Sequence, residues 1–193
     1  MREMINMVVV LTVLTAVSGG LLAAVKSGTE LRIENQILKF QKAPAIKEIF
    51  PETTNDPLKE RFTIKSGKTA WQIFPAKLAD GSEAIAFETH GMGFAGPVGL
   101  MIGINLKTDK IVGARVTTHS ETPGVGSRAK DDPTFVSQFA GMSLDKKFSL
   151  KGEGGDIDGM SGATFTSKGV CVAARQAKEI FRKLKPEILK KIK

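Results

Sequence analysis

The residues with the most chemical promise lie in one run, Asp158-Gly159-Met160-Ser161-Gly162-Ala163-Thr164-Phe165-Thr166-Ser167. The Thr164 hydroxyl follows Gly162 and Ala163, which are too small to shield it and leave the backbone open to a bulky visitor. Downstream, Val170, Val172, Ala173, Ala177, Ile180 and Leu184 have the spacing of an amphipathic helix. Thr164 therefore falls at a helix start, where unpaired N–H groups and the positive end of the helix dipole stabilise an anion. The chemistry this pattern suits is attachment of a phosphate, with Thr164 as the point of attachment and not a nucleophile in turnover. Ser161, Thr166 and Ser167 add hydroxyls that either reach phosphate oxygens or cap the same helix. Asp158 either caps the turn or orients the acceptor hydroxyl.

Asp158 to Thr164 resembles the flavinylation signature Asp-x-x-Ser/Thr-Gly-Ala-Thr, whose last Thr carries FMN through a phosphoester bond. Two more blocks fit the same family in the same order, Gly91-Met92-Gly93-Phe94-Ala95-Gly96-Pro97 and Thr118-His119-Ser120-Glu121-Thr122-Pro123-Gly124-Val125-Gly126. Over roughly residues 84 to 181, and in a single apolar amino-terminal segment, the chain resembles the RnfG/NqrC family of covalent FMN-binding subunits. The resemblance implies FMN on Thr164, attached by a dedicated flavin transferase that consumes FAD and recognises Asp158. Gly159, Met160, Ser161, Gly162, Ala163, Thr166 and Ser167 then surround the cofactor, and a loop with Glu121, Thr122 and Gly124 lies against the flavin. It also implies an electron-relay role in a membrane-bound, ion-translocating ferredoxin:NAD oxidoreductase (Rnf) complex, with its other membrane and redox subunits as partners and no turnover by this chain alone. The flavin domain would face the extracytoplasmic side of the cell membrane. Short length without large insertions favours the RnfG type over the NqrC type of sodium-pumping NADH:quinone reductase, and a flavin-free, membrane-tethered assembly protein is the alternative of another class.

Other residues bear on the same chemistry. Pro123 and Gly124 mark a turn, with Gly124 able to take a positive φ. Arg128 or Lys130, near the ring, would favour a negatively charged reduced flavin by Coulomb attraction. Phe94, Phe165 and Trp71 are the stacking candidates in a chain without tyrosine, although core positions suit each of them. His90 and His119 at strand ends are expected as hydrogen-bonded turn residues. The lone Cys171 excludes an internal disulfide and a metal cluster ligated by cysteines of this chain, and it reads as a buried thiol. Gly91-x-Gly93-x-x-Gly96 spells a dinucleotide fingerprint, but Pro97 and a strand follow it where a helix should begin.

These residues need a scaffold, and 193 residues give one domain with an appendage. Met7 to Val25 carries no charge, and as a helix it spans about 28 Å, enough to cross a bilayer. The run exceeds a signal peptide's apolar core, so a membrane anchor is expected over residues 1–27. A helical stalk and linker follow over 28–66, with a break at Pro44. The FMN-binding domain occupies 67–184 and a basic tail 185–193. Within the domain, Thr69 to Leu78 pairs with Ala84 to His90 across Asp80-Gly81, and Val98 to Leu106 pairs with Ile111 to Thr118 as the sheet's centre. Asp132 caps a short helix that opens at Pro133 and ends at Gly141. The fold class is α+β, a twisted antiparallel sheet with packed helices behind one transmembrane helix. The net charge of +8 gathers near the carboxyl end, on a solvated helix face or against membrane lipid, and gives no sign of nucleic acid.

Overall fold

The computed structural model describes residues 1–67 and 69–192. The chain divides into two compact units, Met1–Phe40 and the remainder from Gln41 onward. Helix α1 (Arg2–Ile37) makes up most of the first and buries none of its side chains. It is long and apolar enough to cross a membrane. Water is a poor solvent for so much aliphatic surface, and hydrocarbon a good one. Its polar side chains suit that setting: Thr12 and Thr15 donate back to the carbonyls of Val8 and Leu11 at 2.7 and 2.9 Å, leaving no free hydroxyl donor toward lipid at either position.

A π-helical turn (Leu38–Lys42) leads into helix α2 (Ala43–Ile49). The break expected at Pro44 does not occur: the chain is helical on both sides of it, and the irregularity falls in the wider π-helical turn just ahead of the proline. Ala45, Ile46, Ile49 and Phe50 are buried, and Ile49 packs on Gly103 so closely that a Cβ there would lie 2.4 Å from Ile49 Cγ2. The second half of the expected stalk is thus folded onto the sheet.

Five antiparallel strands form that sheet in chain order: β1 (Phe62–Ser66), β2 (Thr69–Lys77), β3 (Glu83–Met92), β4 (Pro97–Asn105) and β5 (Ile111–Val116). Both hairpins occur, but β1 precedes the first strand the sequence suggested. The β4–β5 hairpin lies to one side, because in a meander each strand pairs only with its sequence neighbours and the third takes the middle. β3 and β4 are buried along nearly their whole length, since helices cover both faces: α2 packs where Gly103 faces it, and the long helix α5 (Thr164–Ile192) packs on Leu100, Ile102 and Ile104.

Two short helices, α3 (Arg128–Asp131) and α4 (Pro133–Ser137), connect β5 to the remaining loops. Asp132 accepts from Thr134 N–H at 2.9 Å, the cap expected ahead of Pro133. The expected basic tail is instead the last turns of α5: Ile188 is buried, and the Lys191 ammonium donates to the Thr63 carbonyl at 3.0 Å. Arg182 pairs with Asp145 at 2.7 Å on an exposed face, so that part of the charge is largely solvated.

One contact sets the position of the site. α5 crosses β3 where Gly91 meets Gly169, and a Cβ on Gly91 would lie 1.9 Å from the Gly169 carbonyl oxygen. Nearby, the buried Thr89 hydroxyl donates to the Ala173 carbonyl at 2.9 Å. Helix and strand backbones touch, and the amino end of α5 is held over the end of β3.

Candidate functional site

Three loops meet at that end: the β3–β4 turn, the segment after β5, and residues 158–163 leading into α5. The last closes with a turn in which Ala163 N–H donates to Met160 C=O at 3.0 Å and Gly162 takes φ 79°. Ser167 then fastens the turn to the helix. Its hydroxyl accepts from Met160 N–H at 3.0 Å and donates to Ala163 C=O at 2.9 Å. The first helical bond runs from Ser167 N–H to Ala163 C=O at 3.0 Å, so the N–H groups of Thr164, Phe165 and Thr166 precede it and have no intrahelical acceptor. Thr164 is exposed at this positive helix end, as expected.

Beyond β5, Gly124 takes φ 72° and its N–H donates to the Ser127 hydroxyl at 2.9 Å, in the turn that the sequence suggested. Glu121 turns inward from this loop and is 5% exposed. Oε1 accepts from Ala95 N–H at 2.9 Å, while Oε2 accepts the hydroxyl of Thr166 in a short hydrogen bond. Its carboxylate fits between Gly93 and Gly126, where a Cβ at either position would lie 2.6 Å from a carboxylate oxygen. The three sequence blocks are therefore joined through one side chain.

Between these loops lies a cavity of about 290 Å³, lined by Phe94, Glu121, Thr122, Val125, Gly126, Gly162, Ala163, Thr164, Phe165 and Thr166. That is near the lower end of the ~300–1,000 Å³ typical of small-molecule sites. Phe94 and Phe165 stand at the cavity with 74% and 64% of their surface exposed and ring centroids 6.2 Å apart. Core positions were expected for both, yet each points outward where a flat apolar group could rest. Trp71 is outside the cavity lining and packs edge-on against Phe87 at 6.4 Å.

Several side chains do other work than the sequence suggested. Thr166 and Ser167 are buried with their hydroxyl protons committed to Glu121 and Ala163, so they hold the loop together and do not donate to a phosphate. Asp158 is exposed and outside the cavity lining, held by Lys151 at 2.7 Å and by Gln138, which takes its N–H at 2.8 Å. Ser161, Gly159, Met160 and Gly124 also lie outside the lining. Arg128 donates to the Ser161 carbonyl and ties two loops together, and Lys130 donates to the Thr117 carbonyl at 2.8 Å. His119 Nδ1 accepts from Glu121 N–H at 3.2 Å, as a turn residue would, and His90 is exposed. Cys171 is buried, and desolvation raises its thiol pKa to about 11.

Sequence reasoning missed the roles of Gly93 and Gly126. Both were visible as glycines in the matching blocks, but nothing along the chain says that they face the same carboxylate. Gln138 and Lys151, which pin Asp158, carried no signal at all.

Residues 93–179 match the FMN-binding domain family. Fold, cavity and helix end thus define a flavin-domain protein with an apolar amino-terminal helix. The RnfG protein of the ion-translocating oxidoreductase complex of Salmonella typhi is 30% identical over 179 residues, covering 88% of this chain and 86% of the relative. Its counterpart from Cronobacter sakazakii is 29% identical over 190 residues, covering 93% and 91%. The chain belongs to the RnfG family. Among solved structures, the NqrC protein of the Na(+)-translocating NADH-quinone reductase from Parabacteroides distasonis is 28% identical with a TM-score of 0.51, over 60% of this chain and 63% of that one, under two thirds of its length.

Proposed function

We propose that this chain carries FMN esterified through its phosphate to Oγ1 of Thr164, and relays electrons within a membrane-bound ion-translocating ferredoxin:NAD oxidoreductase complex. It is an FMN-binding component of an ion-translocating oxidoreductase complex, with that complex's other subunits as its partners. The observation that carries the finer reading is an exposed threonine hydroxyl at a helix start with unbonded N–H groups, beside a cavity flanked by two exposed phenylalanines.

The residues present fit such a group. Thr164, Phe165 and Thr166 offer backbone N–H groups and the helix dipole to phosphate oxygens. Gly162 leaves the approach open, and Phe94 and Phe165 offer apolar faces to a ring. When bound, FMN supplies electron uptake and release, while the protein supplies position and surrounding charge. A phosphoester keeps the cofactor from diffusing away.

Attachment balances as a transfer from FAD. The Thr164 oxygen bonds to the phosphorus of the FMN half, the pyrophosphate bond breaks, AMP leaves and the hydroxyl proton is released. A flavin transferase performs this step, and Asp158, exposed beside Lys151, is the side chain available for that enzyme to recognise. Helix α1 sits in membrane lipid, and the flavin domain lies on the extracytoplasmic side. The chain alone oxidises no nicotinamide at an enzymatic rate.

The test is a denaturing gel under ultraviolet light together with intact-protein mass spectrometry, on full-length protein from cells that possess the transferase. A fluorescent band, with the mass of FMN less one water added, is expected for the unaltered chain and lost in Thr164→Ala. A dark band from the unaltered chain, or fluorescence that survives Thr164→Ala, overturns the assignment.

A further inference from the structure

We propose that Glu121 lowers the reduction potential of the group attached at Thr164, by holding a fixed negative charge in the wall of the cavity; this rests on the functional reading above. Glu121 is 5% exposed, and the ion pairs among the described residues do not include it. Among those residues only neutral donors reach its oxygens, the N–H of Ala95 and the hydroxyl of Thr166. Each oxygen thus has one donor, and neither donor cancels the charge. A buried carboxylate without a cation is costly, and its field is weakly screened by water or salt. The Gly93 and Gly126 backbones press on both sides, so the carboxylate is hemmed in where it stands.

Glu121 lines the same cavity as Thr164. An electron added to a group in that cavity meets the field of this carboxylate, and in a low-dielectric wall the repulsion favours the oxidised form. Arg128, the cation that the sequence suggested would have the opposite effect, donates to the Val125 and Ser161 carbonyls at the rim of the cavity and is only partly buried. The carboxylate and this cation act on the cavity with opposite signs, and the more deeply buried carboxylate is the less screened of the two. A competing role for Glu121 is purely mechanical, as the clamp that joins three loops. Charge removal with the clamp kept separates the two.

Glu121→Gln does that. A glutamine oxygen can accept from Ala95 N–H while its amide donates to the Thr166 oxygen, which is free to accept once its own proton turns away. The full-length flavin-bearing protein is titrated spectroelectrochemically, with loading checked by in-gel fluorescence and folding by thermal unfolding. The expected result is a potential raised by at least a tenfold change in the oxidised-to-reduced ratio, about 30 mV for a two-electron couple. A folded, flavin-bearing Glu121→Gln with the parent's potential overturns the proposal and leaves only the clamp. If that variant does not accumulate, Glu121→Ala removes the same charge and leaves room for water to reach the Ala95 N–H and the Thr166 hydroxyl. It too is expected to raise the potential, and an unchanged value there overturns the proposal equally. An unaltered chain without flavin refutes the functional reading instead, and that is seen on the gel before any titration begins.

Discussion

Substituting Gly91 with alanine tests whether the strand–helix contact positions the site. The added Cβ would sit 1.9 Å from the Gly169 carbonyl oxygen and 2.9 Å from the Ala173 nitrogen, both backbone atoms that cannot rotate away. Ordinary contact begins at 3.4 Å, so β3 and α5 must separate by about 1.5 Å locally. Overpacking of this kind costs about 1–3 kcal/mol. The rigid backbone on both sides puts Gly91→Ala at the upper end, and about 3 kcal/mol lowers the Tm of a domain this size by about 6–12 °C. Because the displaced helix carries Thr164 at its start, flavin loading should fall as well. Circular dichroism melts of the full chain in detergent, paired with in-gel fluorescence, measure both. Gly152→Ala is the control, since a Cβ there meets nothing within 4 Å and its φ is not positive. If Gly91→Ala melts within about 1 °C of the parent, against the several degrees expected, the close approach is not what holds α5 in place.

Four shorter predictions follow from backbone conformation, burial and exposure. Gly162→Ala imposes a positive φ on a residue with a side chain at a position with free space around it, so a cost of about 1–2 kcal/mol from the backbone alone is expected, with reduced flavin loading read on the gel. Cys171 has its thiol pKa raised to about 11 by burial, so thiol-reactive dyes at pH 8 should label it only after denaturation. Its folded pKa exceeds the ordinary value of 9.0, so its contribution to stability is whole below pH 9 and declines as pH rises toward 11, which urea melts at pH 8 and pH 10.5 would register. The double substitution Phe94→Ala with Phe165→Ala removes two exposed rings and should leave the Tm within about 1 °C while changing the visible circular dichroism of the bound flavin; an unchanged spectrum would mean that neither ring touches it.

Much of the scaffold was legible because local signals and tertiary demands agree. Asp80-Gly81 turns one hairpin, Asp132 caps the helix opened by Pro133, and the α5 apolar positions recur at helical spacing. Strand β1 was not legible. Phe62–Ser66 is short and half polar, and it is recognisable only once β2 and the end of α5 lie against it. Pro44 misled for a related reason: a proline reads as a breaker, yet with a wider π-helical turn just ahead of it, and Ile46 and Ile49 buried on the sheet, it is accommodated.

The candidate attachment threonine and its helix start are encoded in one continuous stretch, residues 158 to 184, because small residues, a turn glycine and an amphipathic run each act between near neighbours in the chain. The company Thr164 keeps was decided only in three dimensions. Glu121 lies 45 residues from its partner Thr166, and the two backbones that enclose it come from different loops. Whether a hydroxyl faces a ligand or a buried carboxylate, and whether a phenylalanine enters the core or stands at a cavity, depends on which surfaces the chain brings together. Spacing along a sequence describes one helix or strand at a time, and burial and charge pairing are properties of several elements packed at once.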